Sequence, residues 1–317
     1  MLQKMLLFFA LGLSAAAQVQ QQEAGLPTFQ VDPFWPKPLP NNWYAGAVSS
    51  VAVDSRDHIW IVHRPRTLEP RERGLELKSS RCCVPAPPVL EFDPNGTLLQ
   101  GWGGPSNDSK WLGEKGSEHG IYVDDQDNVW ISEANGNGHV ILKFTRTGTF
   151  LLQIGELGKT GGSNDQKLLG APANVTVDTK ANEVYVADGY RNRRVIVFDA
   201  TTGAYKRHWG AYGNRPDDAA QAPYDPAAPP RQQFSTPVHC VRIARDGLVY
   251  VCDRSNNRVQ VFRKDGTFVS ELLLIRLLQV DAICCGQLPT GNCGRSRAPR
   301  MRRPGVGPRL VPSPSKV

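Results

Sequence analysis

The stretch "ANVTVDTKANEVYVADGY", residues Ala173 to Tyr190, contains the unit from which most of this chain is built. Apolar and polar residues alternate on both sides of a short polar turn, a pattern that predicts two antiparallel strands. Three further segments repeat this arrangement, each with an aromatic residue in its second strand: Ser49–Pro65, His119–Asn135 and His239–Ser255. Repetition at such intervals is typical of architectures that stack one supersecondary unit many times.

Each unit continues with a third strand that ends in a turn: "PVLEFDPNG", "VILKFTRTG", "VIVFDATTG" and "VQVFRKDG". A fourth strand follows in three of the units: "LLQGWGG", "LLQIGELG" and "YKRHWGAYG". Four-stranded units arranged around an axis form a β-propeller, which protects its sheet edges. The sequence therefore predicts an all-β β-propeller, with four blades in residues 47–271 and an N-terminal lead-in over residues 18–46.

The N-terminus predicts export. Residues 1–17 combine Lys4, an apolar run and three alanines before a polar segment. This is the pattern of a secretory signal peptide, and it is too short to span a bilayer. We therefore expect a secreted or periplasmic protein with no membrane attachment after signal cleavage.

The positive charge is confined to the C-terminal end. Residues 272–317 contain eight Lys or Arg and one acidic residue, whereas the rest of the chain has 29 of each sign. A neutral body lacks the electrostatic footprint of a nucleic-acid-binding protein, so we expect no nucleic-acid partner. Because residues 272–317 are basic and rich in Pro and Gly, we expect this tail to be disordered. Its abrupt onset suggests a shifted reading frame that truncates the propeller after blade four; a natural basic tail is the alternative.

The seven cysteines do not form a CxxC zinc pattern. In an exported protein they can form disulfides. Pairing of Cys82 or Cys83 with Cys240 is one option, but the sequence does not assign connectivity.

Two histidines occupy equivalent positions in alternate units. Aligned on the first strand, the position five residues before the turn holds Ser49, His119, Ala173 and His239 in order. This position begins the innermost strand, which faces the central channel. In a ring of six blades, alternate blades stand 120° apart, so three imidazoles could close on one metal and leave an open position, as catalytic zinc requires. Imidazole also suits copper, iron or nickel. The alternative is that the two histidines simply face a wet channel.

The repeats resemble NHL repeats, and the body from about Phe34 to Glu271 is similar to six-bladed peptidylamidoglycolate lyases of the secreted bacterial branch. The resemblance is carried by four motifs: "VHRP", "SEHGIYVD", "VYVADGYRNRRVIVFD" and "PVHCVRI". It implies a channel Zn²⁺ held by three histidines, two of which match His119 and His239. It also implies site roles for Arg64, in the "HR" pair, and Tyr190, in "ADGY".

The resemblance implies a lyase reaction. Enzymes of this type cleave the C–N bond of a C-terminal α-hydroxyglycine, in a peptide or a smaller N-acyl compound, to give an amide and glyoxylate. Zinc would acidify the substrate hydroxyl, Tyr190 would take its proton as general base, and Arg64 would bind the terminal carboxylate in a bidentate fork. The family also uses Ca²⁺ as a structural ion, although no acidic loop here assigns it.

The chain departs from the family pattern in one respect. The third zinc histidine of the family belongs to the last blade, and no counterpart occurs in the four units. We therefore expect impaired activity. The alternatives are a non-catalytic propeller that binds a protein or ligand, and a calcium-dependent lactonase-like propeller. In the first of these, Tyr190 would stack on a peptide, and Arg64 with His63 would form a surface ion-pair site. Oligomeric state cannot be read from the sequence.

Overall fold

The computed structural model describes residues 29–105, 111, 118–134 and 138–274. The predicted signal peptide and residues 275–317 of the predicted tail lie outside these residues. The chain divides into two compact units, residues 1–35 and 36–317. In the described part of the first unit, Asp32 closes a turn by accepting a hydrogen bond from the backbone N–H of Phe34 at 2.9 Å. All strands found in the described residues belong to the second unit.

Four antiparallel sheets of four strands each make up the second unit, and in each sheet neighbouring strands follow one another along the chain. Blade one consists of β2 (Ala47–Val53), β3 (Ile59–Arg64), β5 (Val89–Phe92) and β6 (Leu98–Trp102). Blade two consists of β7 (Glu118–Val123), β8 (Val129–Glu133), β9 (Val140–Phe144) and β10 (Phe150–Gly155). Blade three consists of β11 (Asn174–Asp178), β12 (Glu183–Asp188), β13 (Arg194–Asp199) and β14 (Tyr205–Trp209). Blade four consists of β15 (Val238–Ile243), β16 (Val249–Asp253), β17 (Arg258–Phe262) and β18 (Phe268–Leu273). A small parallel pair, β1 (Trp43–Tyr44) and β4 (Val84–Pro85), lies outside the blades.

The predicted all-β propeller architecture is confirmed. The described part of the chain contains strands, turns and short 3-10 segments but no α-helix, and so no helix there is long and apolar enough to cross a membrane. The first strands of consecutive blades contact one another, β2 with β7, β7 with β11, and β11 with β15. These contacts place the start of each innermost strand beside the next.

Apolar side chains fill the spaces between consecutive blades. In β9, Val140 and Leu142 pack with Trp60 of blade one, whereas Ile141 packs with Val186 of blade three. Because side chains alternate between the two faces of a strand, a blade that is covered on both sides needs apolar residues at successive positions. This is why the central strands are almost continuously apolar.

An aspartate turn joins the first two strands of blades one and two. Asp124 accepts hydrogen bonds from the backbone N–H of Asn128 at 2.9 Å and from the indole N–H of Trp130 at 2.9 Å. Asp54 accepts the indole N–H of Trp60 at 3.2 Å in the same way. The repeated aspartate therefore ties the turn to the aromatic residue of the second strand, which explains why both recur in the sequence.

Blade four differs from the sequence prediction because it has a fourth strand. The repeat comparison identified a fourth strand in only three units, and the predicted tail began at Leu272. In the structure, β18 pairs with β17 and extends to Leu273. The predicted boundary at Leu272 therefore fell inside this strand, all of whose residues are exposed or half-buried.

The disulfides also differ from the suggested pairing. Cys240 is bonded to Cys252, its cross-strand neighbour in blade four, and Cys82 is bonded to the adjacent Cys83. Pairing of Cys82 or Cys83 with Cys240 is therefore wrong. The register of β15 and β16 brings Cys240 and Cys252 opposite each other, with Cα atoms 4.9 Å apart. Sequence separation alone carries no information on that register.

Candidate active site

The two predicted metal-binding histidines lie at β-bulges. The β7–β8 ladder pairs the residues on either side of His119 and skips His119 itself. The β15–β16 ladder skips His239 in the same way, and the β2–β3 ladder skips Ser49. A bulge bends the strand locally and changes the direction of a side chain. Here it turns both imidazoles toward each other, with ring centroids 5.1 Å apart.

Tyr190 brings the two histidines into one hydrogen-bonded group. Its hydroxyl oxygen lies 3.0 Å from Nε2 of His119 and 3.1 Å from Nε2 of His239. All three side chains are half-buried, so the group is accessible from one side. The structure therefore places Tyr190 and the two histidines, from three different blades, around a single point.

The backbone of blade three orients His119. Nδ1 of His119 donates to the carbonyl oxygen of Ala173 at 2.9 Å, and the hydroxyl of Ser132 donates to the same oxygen at 2.8 Å. A Cβ on Gly120 would lie only 2.7 Å from this oxygen. Glycine after His119 thus permits the close approach of the two strands, and the carbonyl fixes the direction of the imidazole.

The hydrogen bonds also determine the protonation of the group. The pKa of His119 is lowered from 6.5 to about 4, mainly by burial and also by the charges of His239, Arg64 and Arg254, against the hydrogen bond to Ala173, which raises it. His119 is therefore neutral near pH 7. Since a carbonyl only accepts, Nδ1 of His119 carries the proton and Nε2 accepts from the Tyr190 hydroxyl. Nε2 of His239 then donates to the Tyr190 oxygen. His119 therefore presents a lone pair toward the shared point.

A buried ion pair supports the loop that carries Tyr190. Asp188 and Arg194 are fully buried and 2.8 Å apart. Asp188 also accepts the backbone N–H of Gly170 at 2.7 Å and the amide of Asn192 at 2.8 Å. These charge-assisted contacts give the loop between β12 and β13 one conformation. This conformation holds Tyr190 beside His119 and His239.

Blade four has the same kind of support, a buried aspartate that accepts several hydrogen bonds, next to Arg254. Asp253 accepts the backbone N–H of Ser235 at 3.0 Å, the amide of Asn256 at 2.8 Å and Nε of Arg258 at 2.8 Å. The next residue, Arg254, lies over the ring of Tyr190, with its guanidinium carbon 5.7 Å from the ring centroid. Sequence reasoning missed Arg254. Its signal was available, because "CDRS" in blade four aligns with "ADGY" in blade three.

Arg64 also reaches this site. Its Nε donates to the backbone carbonyl of Glu118 at 2.8 Å, and its charge contributes to the lowered pKa of His119. The alternative of a surface ion-pair site with His63 is wrong. His63 is fully buried, and its Nε2 donates to the carbonyl oxygen of Pro87 at 2.9 Å. Arg64 and Arg254 thus place two cations around the histidines and Tyr190.

The donor set is compatible with a metal of the zinc type. A neutral imidazole with its other nitrogen bonded to a carbonyl is a common arrangement for such ligands. In the described ranges, no further His, Cys, Asp or Glu joins His119 and His239 to form a group of three ligands. The two histidines are therefore an incomplete ligand set within those ranges.

A second group of ligand atoms lies between blades one and two. One atom from each of Asp54, His58 and Glu91 lies within 4.8 Å of the other two, so the group could bind a metal ion. However, the guanidinium of Arg146 contacts both carboxylates, Asp54 at 2.9 Å and Glu91 more closely. A cation must displace this side chain to bind here. The contacts of Arg146, which belongs to blade two, with the two carboxylates of blade one attach the blades to each other.

Comparisons with known proteins identify an NHL repeat in the chain and several relatives. The NHL repeat model matches residues 238–262. The sequence is 28% identical over 247 residues to NHL repeat-containing protein 3 of Mus musculus, covering 75% of this chain and 58% of that protein. It is 27% identical over 249 residues to peptidyl-glycine alpha-amidating monooxygenase B of Xenopus laevis, covering 73% and 24%. It is 27% identical over 243 residues to peptidyl-alpha-hydroxyglycine alpha-amidating lyase 1 of Drosophila melanogaster, covering 75% and 41%.

The four sheets and the matched repeat define the chain as an NHL-repeat β-propeller protein. The relatives named above include a peptidyl-glycine alpha-amidating monooxygenase and a peptidyl-alpha-hydroxyglycine alpha-amidating lyase, in agreement with the resemblance carried by the sequence motifs, whereas the secreted bacterial branch stays a prediction. The chain spans between about a quarter and three fifths of the length of the three relatives named above.

Proposed function

We propose that this protein is a metal-dependent lyase that cleaves the C–N bond of a C-terminal α-hydroxyglycine to release an amide and glyoxylate. The observation that carries the proposal is the position of the Tyr190 hydroxyl, about 3 Å from Nε2 of both His119 and His239. A proton acceptor and two imidazole ligands from separate blades meet at one accessible point.

Each side chain of the site has a role in this reaction. Tyr190 would act as the phenolate, the form in which its oxygen no longer donates to His119, and would take the proton of the substrate hydroxyl, so that the C–O bond becomes the aldehyde carbonyl of glyoxylate while the C–N bond breaks. The Tyr190 hydroxyl formed in this way would be the proton source for the leaving nitrogen. The leaving nitrogen would receive a proton and become the amide. Arg64 and Arg254 would bind the terminal carboxylate, and Arg64 is already oriented by the Glu118 carbonyl. The substrate class is the one that the resemblance to the amidating lyases implies, and the two cations beside Tyr190 support a substrate that carries a carboxylate.

His119 and His239 would hold the metal, for which we propose Zn²⁺ because neutral imidazoles suit it. When bound, this ion would supply Lewis acidity toward the substrate hydroxyl. His119 is prepared for this role, because the carbonyl of Ala173 fixes its tautomer and its low pKa keeps it neutral.

Glyoxylate release from N-benzoyl-α-hydroxyglycine tests the proposal. The protein should release glyoxylate faster than the uncatalysed reaction, and addition of a chelator should suppress the release. Tyr190→Phe should lower kcat by about 10²-fold or more, because it removes the proton acceptor. Tyr205→Phe is the matched control, since the Tyr205 hydroxyl bonds to His208 outside the site. Equal activity of the two variants would contradict the assignment of Tyr190.

Metal binding is tested separately. Zinc content measured after dialysis should fall for His119→Ala and for His239→Ala, but not for His208→Ala, which changes a half-buried histidine of β14. A protein that binds no zinc and releases no glyoxylate would instead fit the non-catalytic propeller. In that case Tyr190, Arg64 and Arg254 would be studied as a ligand-binding surface.

We also propose that the protein works outside the cytoplasm. The signal-like pattern of residues 1–17 supports this, as do the two disulfides, because disulfides persist in oxidising compartments. Expression in bacteria with and without residues 1–17, followed by fractionation, tests the proposal. Equal export of the two forms would contradict it.

A further inference from the structure

The Cys240–Cys252 disulfide joins the two segments that supply the site residues of blade four. Cys240 follows His239 directly, and Cys252 lies two residues before Arg254. The two cysteines are cross-strand partners in β15 and β16. One covalent link thus lies next to both segments, at the end of the blade where the site is formed.

The link also lies at the edge of the bulge that directs His239. The ladder pairs Cys240 with Cys252 on one side of His239 and Val238 with Asp253 on the other. The ladder passes over His239, so the two flanking pairs position the backbone from which its imidazole projects. The disulfide holds one pair, and the buried network of Asp253 holds the other.

Burial protects the link. Cys240 is 3% exposed and Cys252 is 1% exposed, and both pack with Val259, Tyr250 and Leu274. This cluster is separate from the three apolar clusters that fill the spaces between blades. Loss of the disulfide would therefore act mainly on the β15–β16 pair, without removing contacts between blades.

We propose that the Cys240–Cys252 disulfide is a positioning pair for the site: when it is oxidised, it keeps His239 directed at Tyr190, and when it is reduced, the affinity of the site for Zn²⁺ falls. This rests on the proposed function of His119 and His239 as metal ligands. Reduction adds two electrons and two protons and gives two thiols. A dithiol reductant such as dithiothreitol supplies both and is itself oxidised to a cyclic disulfide.

The test compares the full chain with two double variants. Cys240→Val/Cys252→Val removes the link and keeps apolar, β-branched side chains in the strands. Cys82→Ser/Cys83→Ser removes the other disulfide, far from the site in sequence and in a loop of blade one. Zn²⁺ affinity is measured by competition with a chromophoric chelator, at a temperature where circular dichroism shows each metal-free protein to be folded.

The valine variant, and wild-type protein reduced under mild denaturant, should bind Zn²⁺ about 10- to 100-fold more weakly than oxidised wild type, the range expected when a ligand loses its orienting contacts. The serine variant should match wild type. Unchanged affinity in the folded valine variant, or an equal loss in the serine variant, would overturn the proposal.

A second measurement needs no metal. In nitrogen-15 NMR spectra of the metal-free protein, the imidazole signals of His239 should shift in the valine variant, because the contact of Nε2 with the Tyr190 hydroxyl is lost, while those of His208 should not. Unshifted His239 signals would overturn positioning by the disulfide. The two measurements separate the claims. If oxidised wild type binds no Zn²⁺ but the His239 signals shift in the valine variant, the metal function and the predicted loss of Zn²⁺ affinity are refuted. Positioning of His239 by the disulfide would then still hold.

Discussion

Replacing Gly189 by alanine should disturb the site directly. A Cβ at this position would lie 1.9 Å from the carbonyl oxygen of Val238, 2.4 Å from its nitrogen and 2.5 Å from its carbonyl carbon. All three atoms are backbone, so no side-chain rotation can relieve the contact. Either the Tyr190 loop or the start of β15 must move by about 1.5 Å to reach ordinary contact distance. The first carries Tyr190, and the second carries His239.

The cost can be estimated from the contact. Forcing an extra carbon into a well-packed position typically costs about 1–3 kcal/mol. For a domain of this size the melting temperature should fall by roughly 2–12 °C. Misplacement of a catalytic group by about 1 Å can lower the rate by about 10²-fold. Gly189→Ala should therefore lose both stability, measured by urea unfolding, and glyoxylate release.

Gly247→Ala is the matched control. Gly247 has φ +78° and no atom within 4 Å of an added Cβ, so its substitution costs only left-handed backbone strain of about 1–2 kcal/mol. The control should lose stability but keep activity. If Gly189→Ala unfolds within about 0.5 kcal/mol of wild type, or retains full activity, the close approach is not what places Tyr190 and the reasoning is refuted.

Three further predictions concern the charges. Burial lowers the pKa of His63 from 6.5 to about 4, so protons bind the unfolded state first. In urea unfolding, His63 should account for up to about 3 kcal/mol of the stability lost as the pH falls from about 6.5 to about 4; substitution of His63 by Gln should remove this share and leave that of His119, whose pKa is also lowered to about 4. Arg146→Met should cost up to about 3 kcal/mol in urea unfolding, because the buried Asp54 and Glu91 lose the guanidinium that contacts both and keep only Arg56 and His58 as partners, and adding Glu91→Gln should restore part of it. Arg254→Gln should raise KM for a carboxylate-bearing substrate while leaving the melting temperature nearly unchanged. An equal rise in KM for an ester analogue would contradict the carboxylate role.

The fold was predictable because its signal is local and repeated. Strand alternation, the Asp turn and the aromatic of the second strand all lie within one unit, and several copies reinforce the assignment. β18 was not identified because the predicted tail was taken to begin at Leu272, inside the strand. Its place in blade four follows from backbone pairing with β17 and from contacts of Phe268 and Glu271 with residues distant in sequence, and hydrophobic periodicity does not report such contacts.

The candidate site was predictable only in part. Alignment of the repeats selected His119 and His239, and the resemblance added Arg64 and Tyr190; the structure brings these side chains to one region. Their roles, and the expected third ligand, stay predictions. Arg254 was not identified, although "CDRS" in blade four aligns with "ADGY" in blade three. The pairing of Cys240 was missed because cross-strand neighbours depend on register.

The order of the residues along the chain was sufficient to establish the strands, their grouping into blades and the equivalence of the two histidines, because all of these follow from periodicity within and between repeats. Folding in three dimensions was needed to bring the Tyr190 hydroxyl to about 3 Å from Nε2 of both His119 and His239. Those contacts depend on bulges, on the approach of Gly189 to Val238 and on the Ala173 carbonyl, and each of these joins residues from different strands or blades. The distance between such residues is determined by packing, which has no counterpart in the spacing of residues along the sequence.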